Sequence, residues 1–269
     1  MKKFYCFEVD PGVPMDEAWS GLEAVGVELA YASEDVNSKI IYGYVGEQTL
    51  SLIPDSVLLF KETTLPAIDW KSQWEVYGLD FYDGFVHIDL NLFGLPTQKI
   101  IRLEPGPGFG DLSHPTTLLV LRFMSKYVKG KAVVDIGCGS GVLSLAACEL
   151  GASRVDGVDI DQEALNHSAS NAKINGLETA CQFHLPENFI FFPDKSASPE
   201  PVVILMNMIT SEQRVAWHSL STLHGSPSIC IVSGIRSEER DPYLNWTKTL
   251  GWKVNEEREE EGWLAFVFS

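Results

Sequence analysis

The sequence contains no uninterrupted apolar run of about 18 residues, so a membrane-spanning helix is not expected. It has no C-x-x-C pair. Its five cysteines (Cys6, Cys138, Cys148, Cys181 and Cys230) are odd in number and widely scattered. Neither a disulfide framework nor a zinc site follows, and reduced, mostly buried thiols are the expectation. The six histidines are equally dispersed, none at ligand spacing from a cysteine or carboxylate, and no metal is expected. Basic residues are in short supply: 20 Lys and Arg against 37 Asp and Glu leave a net charge of −17. Proteins that grip nucleic acid through its phosphates normally show the opposite sign, so direct nucleic-acid binding is not expected. The acidic surplus suits a basic protein partner through electrostatic steering, and equally suits a chain that simply stays soluble. The opening "MKKFYCFEVDPGVP" meets Glu8 and Asp10 almost at once, too short and too acidic for a secretory leader, so a cytoplasmic setting is expected. No G-x-S-x-G elbow and no Cys/His arrangement offers a nucleophile.

What the chain does have is apolar mass. At 45% hydrophobic residues over 269 positions, with seven Trp and fourteen Phe, it can bury one large core or two unequal ones. Residues 1–66 form the pattern of a small α+β domain. "FYCFEV", "VELAYAS" and "KIIYGYV" look like strands, and "MDEAWSGLEAVG" sets Trp19, Leu22 and Val25 on one helical face before Gly26. Residues 67–78, which include "IDWKSQWEVYG" (68–78), show helix-like spacing and serve as a linker. "FVHIDL" and "KIIRLE" suit a hairpin. From residue 118 the rhythm changes to alternating helix and strand. "KAVVDI", "RVDGVDI", "PVVILMN" and "SICIVSGI" are β-rich runs of the kind buried on both faces of a parallel sheet. "WKVNEERE" and "WLAFVFS" close around Gly262, which makes the last strand antiparallel. The fold class expected for 79–269 is α/β, a mainly parallel Rossmann-like sheet with an antiparallel last strand, preceded by the small α+β domain.

The chemistry concentrates in "VVDIGCGSGVL". A hydrophobic strand ends in Asp135, glycines fall at 137, 139 and 141, and a helix begins. Glycine lets the backbone turn sharply and a ligand lie against it, and a helix N-terminus offers unpaired N–H groups. Dinucleotide loops space their glycines G-x-G-x-x-G, and here Val142 stands where the third glycine should be, which argues against NAD or FAD. The pattern D-x-G-x-G-x-G is instead that of S-adenosylmethionine-dependent methyltransferases. The next strand ends in "GVDID", with Asp159 18 residues after Gly141, where a carboxylate can accept both hydroxyls of a ribose. Asp161 suits the N-cap of the following helix better. Asn207 ends "ILMN" at the sheet's carboxyl edge. Its amide can hold the amino-acid end of a cofactor or the incoming acceptor, or merely cap a helix. No Pro-Pro-Tyr follows it, which disfavours amide- and adenine-methylating enzymes.

"EPGPGFGDLSHPTT" (104–117) packs glycines and prolines ahead of a helix, the composition of a turn or of a lid over a ligand. With "DWKSQW", "VVDIGCGSGVLSLAA", "GVDIDQEAL", "MNMI", "SGIRSEERDPYLNWTKTLGWKV" and "EGWLAFVF", it resembles the bacterial ribosomal-protein methyltransferases called PrmA. These trimethylate lysines and the N-terminal amine of large-subunit protein eleven. The resemblance implies a small N-terminal substrate-recognition domain, a helical linker, a catalytic domain using S-adenosyl-L-methionine, and a basic ribosomal protein as substrate. It implies cofactor contacts at Thr117, Gly137, Asp159 and Asn207, with Gly139 in the same loop. Loop 104–117 would close over the methionine end, Phe109 excluding water and Thr117 holding the ligand. The sequence departs from the family's G-T-G-x-H at Gly110-Asp111-Leu112-Ser113-His114, which changes flexibility and charge beside the transferable methyl. Another protein or a small molecule as acceptor, or a non-catalytic cofactor-binding module, therefore stay open. Methyl transfer needs positioning more than a nucleophile. His114 can be read as a proton acceptor or as a structural hydrogen-bonding group.

Overall fold

Alternation of apolar and polar side chains gives β1 (Lys3–Val9) one face for burial, with Tyr5, Phe7 and Val9 in a common cluster. β2 (Glu28–Glu34), β3 (Lys39–Val45) and β4 (Val57–Glu62) join it in an antiparallel sheet of order β2-β3-β1-β4. α1 (Met15–Ala24) lays Ala18 and Leu22, one turn apart, onto that cluster with Trp19 and Val25 at its margin. Strand β4 escapes the pattern analysis because Leu58, Leu59 and Phe60 break the period of two; all three are exposed on this edge strand.

The computed structural model describes residues 3–34, 38–46, 48–63, 81–93, 99–106, 114–191, 201–226 and 228–269, and divides into two compact units, Met1–Ile68 and Asp69–Ser269. The linker expected at 67–78 lies outside the described residues. In the second unit, β5 (Phe81–Tyr82), β6 (Phe85–Asp89) and β7 (Ile100–Leu103) form a small antiparallel sheet, with β6 and β7 paired as their sequences suggest.

The main sheet has seven strands: β8 (Ala132–Ile136), β9 (Arg154–Val158), β10 (Cys181–His184), β11 (Val202–Asn207), β12 (Ser228–Arg236), β13 (Val254–Glu260) and β14 (Trp263–Phe268). Their order is β10-β9-β8-β11-β12-β14-β13. The first five are parallel, and β14 runs antiparallel to both its neighbours. β8 and β11 are apolar except for Asp135 and Asn207 near their carboxyl ends because both faces are covered, the helices between strands supplying the cover. α2 (Pro115–Tyr127) and α3 (Val142–Glu149) bury Leu119, Phe123, Leu143 and Ala146 against one face, and α4 (Gln162–Ile174) adds Ala172 there. α5 (Thr210–Ser219) and α6 (Arg240–Thr249) bury Trp217 and Tyr243 on the other. Strand β10 is short and half-polar and carries too weak a signal to be picked out from sequence. None of the described helices is long and apolar enough to cross a membrane.

Strand order reverses between β8 and β11. Their connections leave in opposite directions, so a crevice opens beyond their carboxyl ends, the usual ligand position in such sheets. Gly234 shapes one side of it. It bulges β12 at φ +88°, and a Cβ there would stand 2.2 Å from the Met208 carbonyl oxygen. Only glycine lets the backbone after β11 press this closely.

Candidate functional site

The glycine loop is tied down from two sides. Gly137 N–H and Cys138 N–H both donate to the Val158 carbonyl, at 2.7 and 3.2 Å, which fastens the end of β8 to the end of β9. Gly137, Gly139 and Gly141 have φ of +72°, +55° and +81°, a left-handed run that side chains would resist. Behind the loop, α4 presents Ser168 and Asn171. Ser168 Oγ donates to the Gly139 carbonyl at 2.7 Å, and Asn171 Nδ2 to the Ser140 carbonyl at 2.9 Å.

Asp159 stands just past β9, half-buried, with both carboxylate oxygens engaged from below. Oδ2 accepts from Gly139 N–H and Oδ1 from Asp161 N–H, each at 3.0 Å. Each oxygen keeps a lone pair, so the group is oriented and can still accept two hydroxyls. Asp161 caps α4, accepting from Glu163 N–H at 2.9 Å, the role its position suggests.

Asp135 lies beneath the loop and is 1% exposed. Ser144 Oγ donates to its Oδ2 at 2.7 Å, and Oδ1 is buried without a partner. Burial raises its pKa to about 7, and the nearby charge of Asp159 adds to this against the Ser144 hydrogen bonds. The start of α3 is thus partly spent on a carboxylate of the protein itself. Cys138, in the loop, is held protonated because burial foremost, then Asp135 and Asp159, raise its pKa. It is no nucleophile.

Asn207 ends β11 beside Gly137. Its Nδ2 donates to Thr117 Oγ1 at 3.3 Å, and its Oδ1 is buried with no partner. Thr117 is fully buried on α2 and is absent from the cleft wall, so it stands behind Asn207 as a brace. Gly137, Gly139, Asp159 and Asn207 come together along one cleft of about 950 Å³. Its aliphatic walls are Ile160, Leu185, Ile209 and Val215. Its ionisable lining is Asp159, Asp161, Glu187 and Glu212, with no Lys, Arg or His among the described residues. A smaller hollow of about 510 Å³ beside edge strand β10 shares only Leu185 with the cleft and holds none of the expected residues.

Phe109 and residues 107–113 lie outside the described residues, but the approach to that loop is fixed by α4. Asn171 Oδ1 accepts from Glu104 N–H at 2.8 Å, and Asn175 brackets Arg102, accepting its N–H at 2.9 Å and donating to its carbonyl at 2.7 Å. His167 Nε2 lies 2.8 Å from the Glu104 carbonyl, and burial lowers its pKa. Neutral, it donates that bond. These residues went unnoticed in the sequence, although His167, Asn171 and Asn175 recur at intervals of four on one helix face. At the loop's far end, His114 caps α2, with Nδ1 2.8 Å from Thr116 Oγ1, a structural use of that side chain. Among the described residues no group of three His, Cys, Asp or Glu converges as metal ligands would.

The residues present fit an adenosine bearing an amino-acid tail. Asp159 offers paired acceptors for a diol, the glycines allow close approach, and Asn207 keeps an unused carbonyl oxygen. A sheet of this order, with an antiparallel strand inserted at one side and a glycine loop facing an acid on the next strand, is the Rossmann-like methyltransferase fold. The sequence profile of the ribosomal protein L11 methyltransferase (PrmA) family matches residues 23–269, and the chain belongs to that family. It is similar to the ribosomal protein L11 methyltransferase of Dictyoglomus thermophilum, at 32% identity over 74% of this chain and 65% of that protein. With the one from Chromobacterium violaceum it shares 32% identity over 94% of this chain and 80% of that protein. Among solved structures, the ribosomal protein L11 methylase of Lactobacillus delbrueckii subsp. bulgaricus aligns with a TM-score of 0.53 at 26% identity, over 64% of this chain and 86% of that chain. The chain spans 65%, 66% and 56% of the length of three curated relatives it matches.

Proposed function

We propose that this protein transfers methyl groups from S-adenosylmethionine to amine nitrogens, lysine side chains or an N-terminal amine, of a basic ribosomal protein equivalent to L11. The observation that carries this is the charge of the cleft: four carboxylates and no base among its described lining. Such a mouth draws an ammonium and repels a phosphate, which favours a basic protein over RNA as acceptor. The family name of its relatives points the same way. The cytosol, where ribosomes are assembled, is the matching location. Residues 1–66 are assigned to substrate recognition, 67–78 to the linker and 79–269 to catalysis.

When bound, S-adenosylmethionine supplies an electrophilic methyl on a sulfonium, open to in-line displacement by an amine. The chain's own residues hold and orient. Asp159 takes the ribose hydroxyls, Gly137 and Gly139 let the ligand lie against the backbone, and Asn207 Oδ1 accepts from an ammonium or amine. Thr117 fixes the Asn207 amide by accepting from its Nδ2, which leaves Oδ1 without a protein partner. An acceptor lysine, with a pKa near 10.4 in water, is drawn to the cleft as the ammonium by the carboxylates there, which favour its charged form, and must lose its proton before the methyl is transferred. Glu187 and Glu212, both exposed on the lining, stand where the leaving proton can pass to water.

The test is incubation of the purified protein with methyl-labelled S-adenosylmethionine and purified L11, followed by mass spectrometry of the acceptor. Additions of one or more methyl masses on lysine or the N-terminus are expected. Label on another protein or a small molecule would support a different acceptor, a reading favoured by the departure at Gly110-Asp111-Leu112-Ser113. Cofactor binding without any label transfer would leave a binding module.

A further inference from the structure

Among the described residues, Asp135 is a buried carboxylate behind the cleft that the proposed chemistry leaves unused. It sits between Gly157 of β9 and Leu205 of β11 in the middle of the sheet. The groups around it can be named element by element. Ser144 of α3 donates to Oδ2, while Cys138 in the loop, Asp159 past β9 and Cys181 on β10 are the titratable neighbours. Both thiols are held protonated, Cys138 mainly by burial and Cys181 mainly by its hydrogen bond to Cys148. No Lys, Arg or His contributes to the surroundings of Asp135 among the described residues. A buried carboxyl with one orphaned oxygen, a second carboxylate nearby and no cation is short of one positive charge. Only the glycine loop, whose outer side lines the cleft, separates it from where a ligand would lie.

We propose that Asp135 distinguishes the cationic cofactor from its uncharged-sulfur product. It carries a proton on its carboxyl in the ligand-free protein and releases it to solvent when a sulfonium settles beyond the glycine loop. This rests on the cofactor reading above. S-adenosylmethionine carries the additional charge that makes ionised Asp135 favourable, whereas S-adenosylhomocysteine has a neutral thioether and leaves the carboxyl protonated. Each protein molecule gives up one proton from one O–H bond and gains nothing covalent. A pKa raised to about 7 places the exchange in an accessible window. Methionine-end affinity then depends on pH for the substrate and not for the product, so the preference for substrate over product grows as pH rises toward neutrality.

The experiment is calorimetric titration of the full chain with each ligand at pH 5.5 to 7.0, in two buffers of different ionisation enthalpy. In this range the α-amino groups of both ligands, with pKa near 7.7–8.0, stay protonated. With S-adenosylmethionine we expect release of most of one proton at pH 6.0 and less at pH 7.0, and a Kd that weakens several-fold or more from pH 7.0 to 5.5. With S-adenosylhomocysteine we expect near-zero release and a Kd constant within about twofold. Asp135→Asn keeps an acceptor for Ser144 but cannot titrate, so release should vanish. Should that variant fail to fold, the two-ligand comparison on the natural protein still decides. Binding of S-adenosylmethionine without proton release at pH 6.0, or equal release with both ligands, overturns the assignment to Asp135. Failure of both ligands to bind overturns the cofactor reading itself.

Discussion

Replacing Asp159 with Asn tests the site most directly. The carboxylate does two things at once: it accepts Gly139 N–H and Asp161 N–H at 3.0 Å each, and it has two lone pairs left for ligand hydroxyls. An amide has one acceptor oxygen. Its NH2 must face either Gly139 N–H or Asp161 N–H, so one brace of the loop is lost, and with it one charge-assisted bond to the ribose. A hydrogen bond to a charged group contributes about 1.5–3 kcal/mol. Since Asp159 is only half-buried, the lower part of that range applies; the loop brace is lost from free and bound protein alike, so the ribose bond sets the affinity change, about 1.5–2 kcal/mol. At about 1.4 kcal/mol per factor of ten, the Kd for S-adenosylmethionine should rise about 10- to 30-fold. Calorimetric titration at pH 7.5 measures this, with the melting temperature as a check that the loop still folds. A second arm uses a ligand lacking the ribose 2′-hydroxyl. It should bind the natural protein about tenfold or more weaker and Asp159→Ala nearly as well as the complete ligand, because the partner is already gone. A Kd for Asp159→Asn within about threefold of the natural protein would refute the placement of the ribose, and with it the orientation of the ligand in the cleft.

Asp135→Asn should stabilise the protein at alkaline pH. The folded-state pKa of about 7 lies above the ordinary value of 3.8, so stability falls as pH rises from 4 to 7 and the deficit, on the order of 4 kcal/mol, is complete above 7. The variant should therefore melt above the natural protein at pH 8 and converge with it near pH 4; a gap independent of pH would show that Asp135 ionises normally. Gln213 is fully buried and holds three groups, donating to the Met208 and Ser233 carbonyls at 2.8 and 2.9 Å and accepting from Tyr243 at 2.6 Å. Gln213→Leu leaves those three unpaired and should cost about 3 kcal/mol or more in chemical denaturation, while Tyr243→Phe, which removes one partner, should cost about 1–2 kcal/mol. Gly234→Ala meets the Met208 carbonyl and a positive φ together, so unfolding should come at least about 2 kcal/mol earlier and cofactor affinity should drop through displacement of Asn207. Affinity unchanged in that variant would separate the β12 bulge from the site.

Local pattern made much of this molecule legible. The runs at 132–136 and 202–207, apolar except for Asp135 and Asn207 near their carboxyl ends, announce strands buried on both faces because they do not alternate apolar with polar residues. The glycine spacing at 137, 139 and 141 distinguishes the loop from a dinucleotide loop, since Val142 cannot take the place of a third glycine. Asp159 follows from the same logic: an acid at the end of the next strand faces that loop whenever the two strands are parallel neighbours, as β8 and β9 are. The strands at 57–62 and 181–184 stayed hidden because one has no alternation and the other is four residues long.

The sequence by itself determined the element types, the parallel sheet with its reversed last strand, the glycine loop and the acid that completes it. These depend on neighbours a few residues apart, or on one strand and the next. Tertiary structure alone decided what stands behind them. Thr117 and Asn207 are 90 residues apart in sequence, and only the adjacency of α2 and β11 turns one into the brace of the other. The grip of α4 on the loop entrance joins Asn171 to Glu104 across 67 residues. Asp135 looks in the sequence like the last residue of a strand. Its orphaned oxygen, its burial and the absence of a cation among the described residues come from packing between β9 and β11, because desolvation is a property of everything that surrounds a carboxyl and not of the residues beside it in the chain.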